Sequence, residues 1–216
     1  MPQSKILYPE QQNYLSSFIG EKDSLLIEME KFARENNIPI LDKNAAEFLE
    51  VLLTIYKPKS FLEIGTAIGY STIRVAKILK NSNYIHTIEF SEDNFKLANQ
   101  YIAKANLTDK IVIFRGNALQ IIPDLKDVYD FIFLDADKED YLALFNLAIK
   151  KLKSGGVILV DNLLWKGFAA STEIPEKYKK STELIKEFNA NFMNTPSLKS
   201  IILPIGDGLG VGIKTK

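Results

Sequence analysis

The chain has 216 residues, of which 46% are hydrophobic and 25% are charged, which is typical of a globular domain and disfavours disorder. Its 27 Lys and Arg residues balance its 27 Asp and Glu residues, and this zero net charge disfavours binding to nucleic acid by charge alone. The absence of cysteine excludes disulfides and thiolate metal sites, and no apolar run is long enough for a bilayer span or a signal peptide. We therefore expect a cytoplasmic protein without a membrane segment.

Short β-branched and aromatic runs alternate with helical patterns along the chain, which predicts βαβ units and a parallel sheet. In chain order, the predicted helices are 22–36, 44–56, 70–80, 91–106, 139–152 and 176–193. The predicted strands are 60–64, 84–89, 111–115, 129–134, 156–160, 199–204 and 209–214. A Gly-Asp-Gly turn at 206–208 joins the last two strands and predicts an antiparallel hairpin at the end of an otherwise parallel sheet.

A glycine loop follows the first strand at its carboxyl end, where α/β sheets bind ligands. Gly65 and Gly69 give the spacing G-x-x-x-G, and Gly65 lets the backbone turn tightly and approach a ligand. A dinucleotide loop has the spacing G-x-G-x-x-G, so NAD is disfavoured. Glu89 ends the next strand and can accept hydrogen bonds from ribose hydroxyls; the alternative is that it caps the helix near Ser91. Together these residues indicate a site for an adenosine-containing cofactor.

Acidic and amide side chains follow two further strands at the same edge of the predicted sheet. Asp135 comes directly after an apolar strand, and Asp161 and Asn162 follow the next one. Their oxygen ligands favour Mg²⁺, Mn²⁺ or Ca²⁺ over zinc, and the single histidine, His86, has no partner for a zinc site. The alternative is that these carboxylates cap helices. Because two neighbouring strands end in the same way, the sequence favours a metal site.

Lys138 lies three residues after Asp135 and is the candidate general base. A divalent cation beside a lysine favours the neutral amine by charge repulsion, and the same cation favours ionisation of a hydroxyl. The alternative is that Lys138 is a surface residue at the start of a helix, or that it pairs with Glu139 or Asp140.

Four segments together resemble the cation-dependent O-methyltransferases, the family that includes catechol and caffeoyl-CoA O-methyltransferases. They are the cofactor loop at 62–71 (LEIGTAIGYS), the metal and catalytic motifs at 134–138 (LDADK) and 161–167 (DNLLWKG), and the ending at 204–209 (PIGDGL). The resemblance covers residues 37–216. It implies a Rossmann-like, doubly wound α/β fold with helices on both faces of a seven-stranded sheet. It also implies S-adenosylmethionine (SAM) as the cofactor and Mg²⁺, Mn²⁺ or Ca²⁺ as the metal.

The resemblance implies a role for each candidate residue. The residues implied to bind the cofactor are Leu41, Glu63, Gly65, Ser71, Glu89, Asn117, Ala118, Asp135 and Asp137. Gly65 and Ser71 would hold the methionine part, with Glu63 at the strand end and Asp137 near the amino group, while Glu89 would bind the ribose and Asn117 and Ala118 would lie at the adenine. The implied metal ligands are Asp135, Asp161 and Asn162, and Lys138 is the implied base.

By the same resemblance, residues 57–216 form the methyltransferase core. The helices within residues 1–56 are expected to belong to the same domain and to contribute a substrate lid and contacts in a homodimer. The stretch after Trp165 is the expected substrate loop.

Three hypotheses for the function stay open at this point. The segments 37–41 and 57–59 are similar to bacterial members of the family, including methyltransferases of 5-hydroxyuridine in tRNA. Zero net charge instead favours a small acceptor such as a catechol or another vicinal diol. The third hypothesis is a non-catalytic binding protein, which the intact set of Asp135, Lys138, Asp161 and Asn162 disfavours.

Overall fold

A seven-stranded sheet forms the centre of the structure, a computed structural model that describes residues 7–80 and 84–216. The strands are β1 (Ser60–Ile64), β2 (Tyr84–Glu89), β3 (Ile111–Arg115), β4 (Tyr129–Leu134), β5 (Leu152–Val160), β6 (Leu198–Leu203) and β7 (Leu209–Lys214). Their order is β3-β2-β1-β4-β5-β7-β6. Strands β1 to β5 pair in parallel, whereas β7 runs antiparallel to both β5 and β6. The predicted α/β sheet with an antiparallel C-terminal hairpin is confirmed.

Eight α-helices surround this sheet within the described part of the chain. They are α1 (Pro9–Ser16), α2 (Ser24–Glu35), α3 (Lys43–Tyr56), α4 (Tyr70–Ile78), α5 (Glu92–Lys104), α6 (Ala118–Asp124), α7 (Tyr141–Lys151) and α8 (Lys179–Asn194). Short 3-10 turns at Lys138–Asp140 and Glu176–Tyr178 precede α7 and α8. No helix in these ranges is both long enough and apolar enough to cross a bilayer.

The two faces of the sheet carry separate parts of the core. On one face, Phe61, Phe131 and Leu159 pack with buried residues of α2, α3 and α4. On the other face, Leu62 and Ile132 pack with buried residues of α7 and α8. All five residues of β1 are buried, which is expected of a central parallel strand that is covered on both sides.

The N-terminal helices pack on the core through both apolar and charged contacts. Helices α2 and α3 belong to the same buried cluster as the sheet residues of that face. Arg74 of α4 is almost fully buried and forms ion pairs of 2.6 Å with Glu21, 2.8 Å with Glu47 and 2.6 Å with Glu50. The segment from Glu21 to α3 is therefore tied directly to the helix that follows the glycine loop.

Candidate functional site

A cavity of about 660 Å³ opens at the carboxyl ends of β1, β2, β4 and β5. The predicted site residues that border it are Leu41, Gly65, Ser71, Glu89, Asn117, Ala118, Asp135, Asp137, Lys138, Asp161 and Asn162. Glu63 is the predicted residue that does not border it. The topology explains this convergence, because parallel strands deliver the residues that follow them to one edge of the sheet.

The glycine loop lies so close to the end of β4 that a residue with a side chain would not fit at position 65. Gly65 has a φ of +103°, and a Cβ at this position would lie 1.8 Å from the backbone oxygen of Asp135. Glu89 holds the next part of the loop, since its carboxylate accepts hydrogen bonds from the N–H groups of Thr66 (3.2 Å) and Ala67 (2.8 Å). The same carboxylate accepts the N–H of Ser91 at 2.8 Å, so Glu89 both fixes the loop and faces the cavity.

Glu63 lies beneath the cavity floor and is fully buried. Its carboxylate accepts hydrogen bonds from the hydroxyls of Ser71 (2.5 Å), Thr72 and Thr87 (2.6 Å). Burial raises its pKa to about 7, against the opposing effect of these three donors. The structure thus places Glu63 behind Ser71, which does border the cavity.

Asn117 and Leu41 both border the cavity. The Asn117 side chain accepts the N–H of Leu119 at 2.8 Å and is the N-cap of α6, so its side-chain oxygen is already engaged. Leu41 is buried and is preceded by Pro39 and Ile40, which also border the cavity. The segment between α2 and α3 therefore forms part of the wall, a position that agrees with its predicted contact.

The predicted base and metal ligands converge at the other end of the cavity. The ammonium group of Lys138 donates hydrogen bonds to Asn162 Oδ1 and to the Tyr141 hydroxyl, each at 2.6 Å. Asp135 Oδ1 lies 3.4 Å from the same nitrogen. Tyr141 in turn donates to the backbone oxygen of Asp161 at 3.0 Å. These contacts exclude the alternative of Lys138 as a free surface lysine.

Asp207 is a further carboxylate of this site, and the sequence indicated it only as part of the hairpin turn and of the ending at 204–209 that resembles the family. It borders the cavity, and it accepts the backbone N–H of Lys166 at 2.5 Å. Burial raises the pKa of Asp207, and burial together with the charge of Asp135 raises the pKa of Asp161 well above its usual range. The one available signal was an acid between two glycines in a turn that the topology brings to the same sheet edge.

The chain after β5 has an unusual backbone that presents these groups. Asn162, Trp165 and Lys166 adopt left-handed φ values of +62°, +47° and +57°. Such values are costly for residues with a side chain and are frequent at functional sites. Trp165 is anchored by its indole N–H, which donates to Ser181 at 3.0 Å, and its ring lies 5.8 Å from the Lys138 ammonium.

The donor set for a cation is small. Within residues 7–80 and 84–216, no group of three or more His, Asp and Glu side chains is arranged as a metal site. The candidate ligands are instead two carboxylates and one amide, Asp135, Asp161 and Asn162, and the Lys138 ammonium lies against two of them. Their oxygen chemistry and surplus negative charge fit a hard divalent cation better than zinc.

The cavity lies at the carboxyl edge of a Rossmann-like sheet, the position at which α/β folds bind cofactors and substrates. The chain matches the O-methyltransferase family over residues 16–215 and belongs to it. It is similar to caffeoyl-CoA O-methyltransferase 1 of Eucalyptus globulus, with 34% identity over 80% of this chain and 74% of the relative. It is also similar to the catechol O-methyltransferase of Niastella koreensis, with 28% identity over 96% of this chain and 97% of the relative.

Solved structures show the same relationship. The O-methyltransferase of Bacillus cereus in complex with SAH has a TM-score of 0.82 and 30% identity, covering 95% of this chain and 97% of that one. The protein is therefore a SAM-dependent O-methyltransferase, which confirms the predicted family, enzyme class and cofactor.

Proposed function

We propose that the protein transfers the methyl group of SAM to one hydroxyl of a catechol or a similar vicinal diol, with the help of a divalent cation. The observation that carries this proposal is the cluster of Lys138, Asp135, Asp161 and Asn162 at the end of the cavity. The relatives named for catechol and caffeoyl-CoA substrates support the acceptor class. A non-catalytic protein has no need of an ammonium group held at this position.

Asp135, Asp161 and Asn162 are the residues that would hold the cation. When bound, a divalent cation orients the diol and makes its hydroxyl more acidic. Asp161 is only 3% exposed and lies close to a second carboxylate, so a positive charge beside it relieves a buried repulsion. In the structure, the Lys138 ammonium occupies this role in part, which indicates where positive charge is favoured.

The other roles of this chain's residues are to position the cofactor and to accept a proton from the acceptor. Glu89 and the glycine loop orient the cofactor, and Leu41 forms part of the cavity wall. Lys138 is the residue we assign to accept the proton of the acceptor hydroxyl, and that oxygen then attacks the sulfonium methyl in line. The leaving group is a neutral thioether, so no oxyanion hole is required. Holding the two reactants in line lowers the activation free energy by on the order of 7–11 kcal/mol at most.

The direct test is a labelled-methyl transfer assay with a panel of catechols and with undermodified tRNA. We expect transfer to the catechols, loss of transfer after chelation, and recovery with Mg²⁺ or Mn²⁺. Full activity after exhaustive chelation would remove the cation from the proposal. Transfer to tRNA alone would replace the catechol acceptor by 5-hydroxyuridine, the first of the three hypotheses from the sequence.

The assembly state is a further part of the proposal. We expect a homodimer, with α1 and α3 contributing to its interface. The support is that these helices leave large apolar side chains exposed, among them Tyr14, Val51 and Ile55. The role of the N-terminal helices as a lid rests on the wall that Pro39, Ile40 and Leu41 form.

A further inference from the structure

Four lysines lie in the segment from Lys166, which borders the cavity, to Lys180, and their ion-pair partners divide them into two groups. Lys179 forms an ion pair with Glu176 at 2.5 Å, and Lys180 forms one with Glu139 at 2.8 Å. Among the described residues, neither Lys166 nor Lys177 has a carboxylate within ion-pair distance of its ammonium group. Two of the four positive charges are thus left without a direct counter-charge.

These two lysines converge on one aromatic ring. The ammonium of Lys166 lies 4.9 Å from the centre of the Tyr178 ring, and that of Lys177 lies 4.8 Å from it. Lys166 also donates a hydrogen bond of 3.3 Å to the Tyr178 hydroxyl. Hydrogen bonds and charge from both lysines lower the pKa of Tyr178.

The ring beneath the two lysines is fixed rather than loose. Tyr178 stacks on Phe168 with ring centres 5.3 Å apart, and its edge meets Trp165 at 6.2 Å. Trp165 and Lys166 border the cavity directly. The backbone of Lys166 is held by Asp207, the carboxylate that also borders the reacting end of the cavity. The pair of positive charges therefore has a set position relative to the site of methyl transfer.

We propose that Lys166, Lys177 and Tyr178 form an anion subsite that binds a carboxylate or phosphate group of the acceptor, on the side away from the reacting hydroxyl. Two ammonium groups that lie 4.9 Å and 4.8 Å from the same ring centre repel each other, and an anion bound between them offsets that repulsion through two ion pairs. The aromatic rings beside the subsite offer a surface for the planar part of the same acceptor. This inference rests on the proposed function, because it assigns the chemical class of the acceptor to the same cavity.

The test compares matched ligands with and without the anionic group. Protocatechuate and its methyl ester form one pair, and uridine monophosphate and uridine form the other. Each is titrated calorimetrically into the protein with S-adenosylhomocysteine and Mg²⁺ present, so that no turnover occurs. A preference in the first pair identifies a carboxylate and a preference in the second identifies a phosphate.

We expect the wild-type protein to bind at least one charged member more tightly than its neutral partner by about tenfold, which corresponds to about 1.4 kcal/mol. The double substitution Lys166→Gln and Lys177→Gln should remove this preference, and added salt should weaken it, because both lysines are exposed. The control is Lys186→Gln, an exposed lysine of α8 away from the mouth, which should keep the preference. Thermal unfolding of each variant verifies that it is folded.

Equal binding of charged and neutral members by the wild-type protein overturns the proposal, and so does a preference that persists in the double variant. Methyl transfer to protocatechuate, measured on the same proteins, separates this result from the proposed function. A charge preference without any transfer would leave the anion subsite standing and reject the catechol acceptor. Transfer without a charge preference would reject the subsite alone.

Discussion

At the scale of single residues, Lys138 offers the sharpest test of mechanism. Replacing it by alanine should lower kcat by about 10²–10⁴, the usual range for loss of a general base. Cofactor affinity should change little, because Lys138 contacts Asn162 and Tyr141 rather than the glycine loop. Steady-state assays of methyl transfer measure kcat, and calorimetric titration with SAM measures the cofactor affinity.

The matched control is Lys138→Arg, which keeps the positive charge but stays protonated near neutral pH and should therefore not restore activity. Raising the pH should partly restore the alanine variant, since the acceptor hydroxyl then ionises without a base. If the alanine variant turns over at nearly the wild-type rate, Lys138 has no catalytic role.

Glu63 gives a prediction about stability and pH. Burial raises its pKa to about 7, above the ordinary 4.5, so the folded state favours the protonated carboxyl. The stability contributed by this preference is fully present below the ordinary pKa and is lost as the pH rises through about 7. We expect Glu63→Gln, which stays neutral, to gain stability relative to wild type as the pH rises from 4.5 through about 7. The gain is up to about 3 kcal/mol, because each pKa unit corresponds to roughly 1.4 kcal/mol.

Urea unfolding of both proteins between acidic and mildly alkaline pH measures this difference. The quantity of interest is the change in relative stability with pH, because the amide also alters the hydrogen bonds to Ser71, Thr72 and Thr87 at every pH. Glu183→Gln, at an exposed position of α8, is the control and should show no such trend. A constant difference at all pH values would contradict a protonated Glu63.

At the scale of elements, the turn between β1 and α4 depends on the absence of a side chain. Gly65→Ala places a Cβ 1.8 Å from the Asp135 carbonyl oxygen at a φ of +103°, so the loop must move. We expect a loss of at least about 2 kcal/mol of stability and a marked loss of SAM affinity. Gly20→Ala is the matched control, because nothing lies within 4 Å of its added Cβ. Wild-type SAM binding by the Gly65 variant would show that the loop tolerates displacement.

The sequence predicted the elements whose side chains are buried in a regular pattern and missed those that are not. Helix α1 buries no side chain, and α6 has only seven residues and contains Pro123, so neither has a detectable period. Strand β5 begins at Leu152 rather than at 156, because its first residues are a polar and glycine stretch that pairs irregularly with β4. Burial against neighbours decides these boundaries, and a short sequence window does not contain it.

The same distinction applies to the site. Asp135, Asp161 and Asn162 could be found from sequence because each follows a strand, and the rule for parallel sheets then brings them together. Asp207 and Tyr141 could not be found in this way, because Asp207 arrives through the antiparallel hairpin and Tyr141 through the first turn of α7. The pairing of Lys166 with Lys177 is likewise set by the folded loop rather than by sequence spacing.

At the scale of the whole molecule, the exposed apolar residues of α3 predict the assembly. Ile55 is 74% exposed and Val51 is 55% exposed, on a helix whose opposite side is buried in the core. Ile55→Asp should shift a homodimer towards monomer, because a charge in an apolar interface is left without a partner. Light scattering at micromolar concentration measures the mass of both proteins. A monomeric wild-type protein would contradict the dimer.

Trp165 is the single tryptophan of the chain, and it lies 5.8 Å from the Lys138 ammonium at the reacting end of the cavity. The tryptophan emission of the protein, excited selectively over that of its nine tyrosines, therefore comes from one known place and needs no label. Occupation of the acceptor site should change this emission strongly. A ligand confined to the adenine end, near Asn117, should change it much less. A single optical signal can thus distinguish the order in which cofactor and acceptor arrive, in real time and on the unmodified chain.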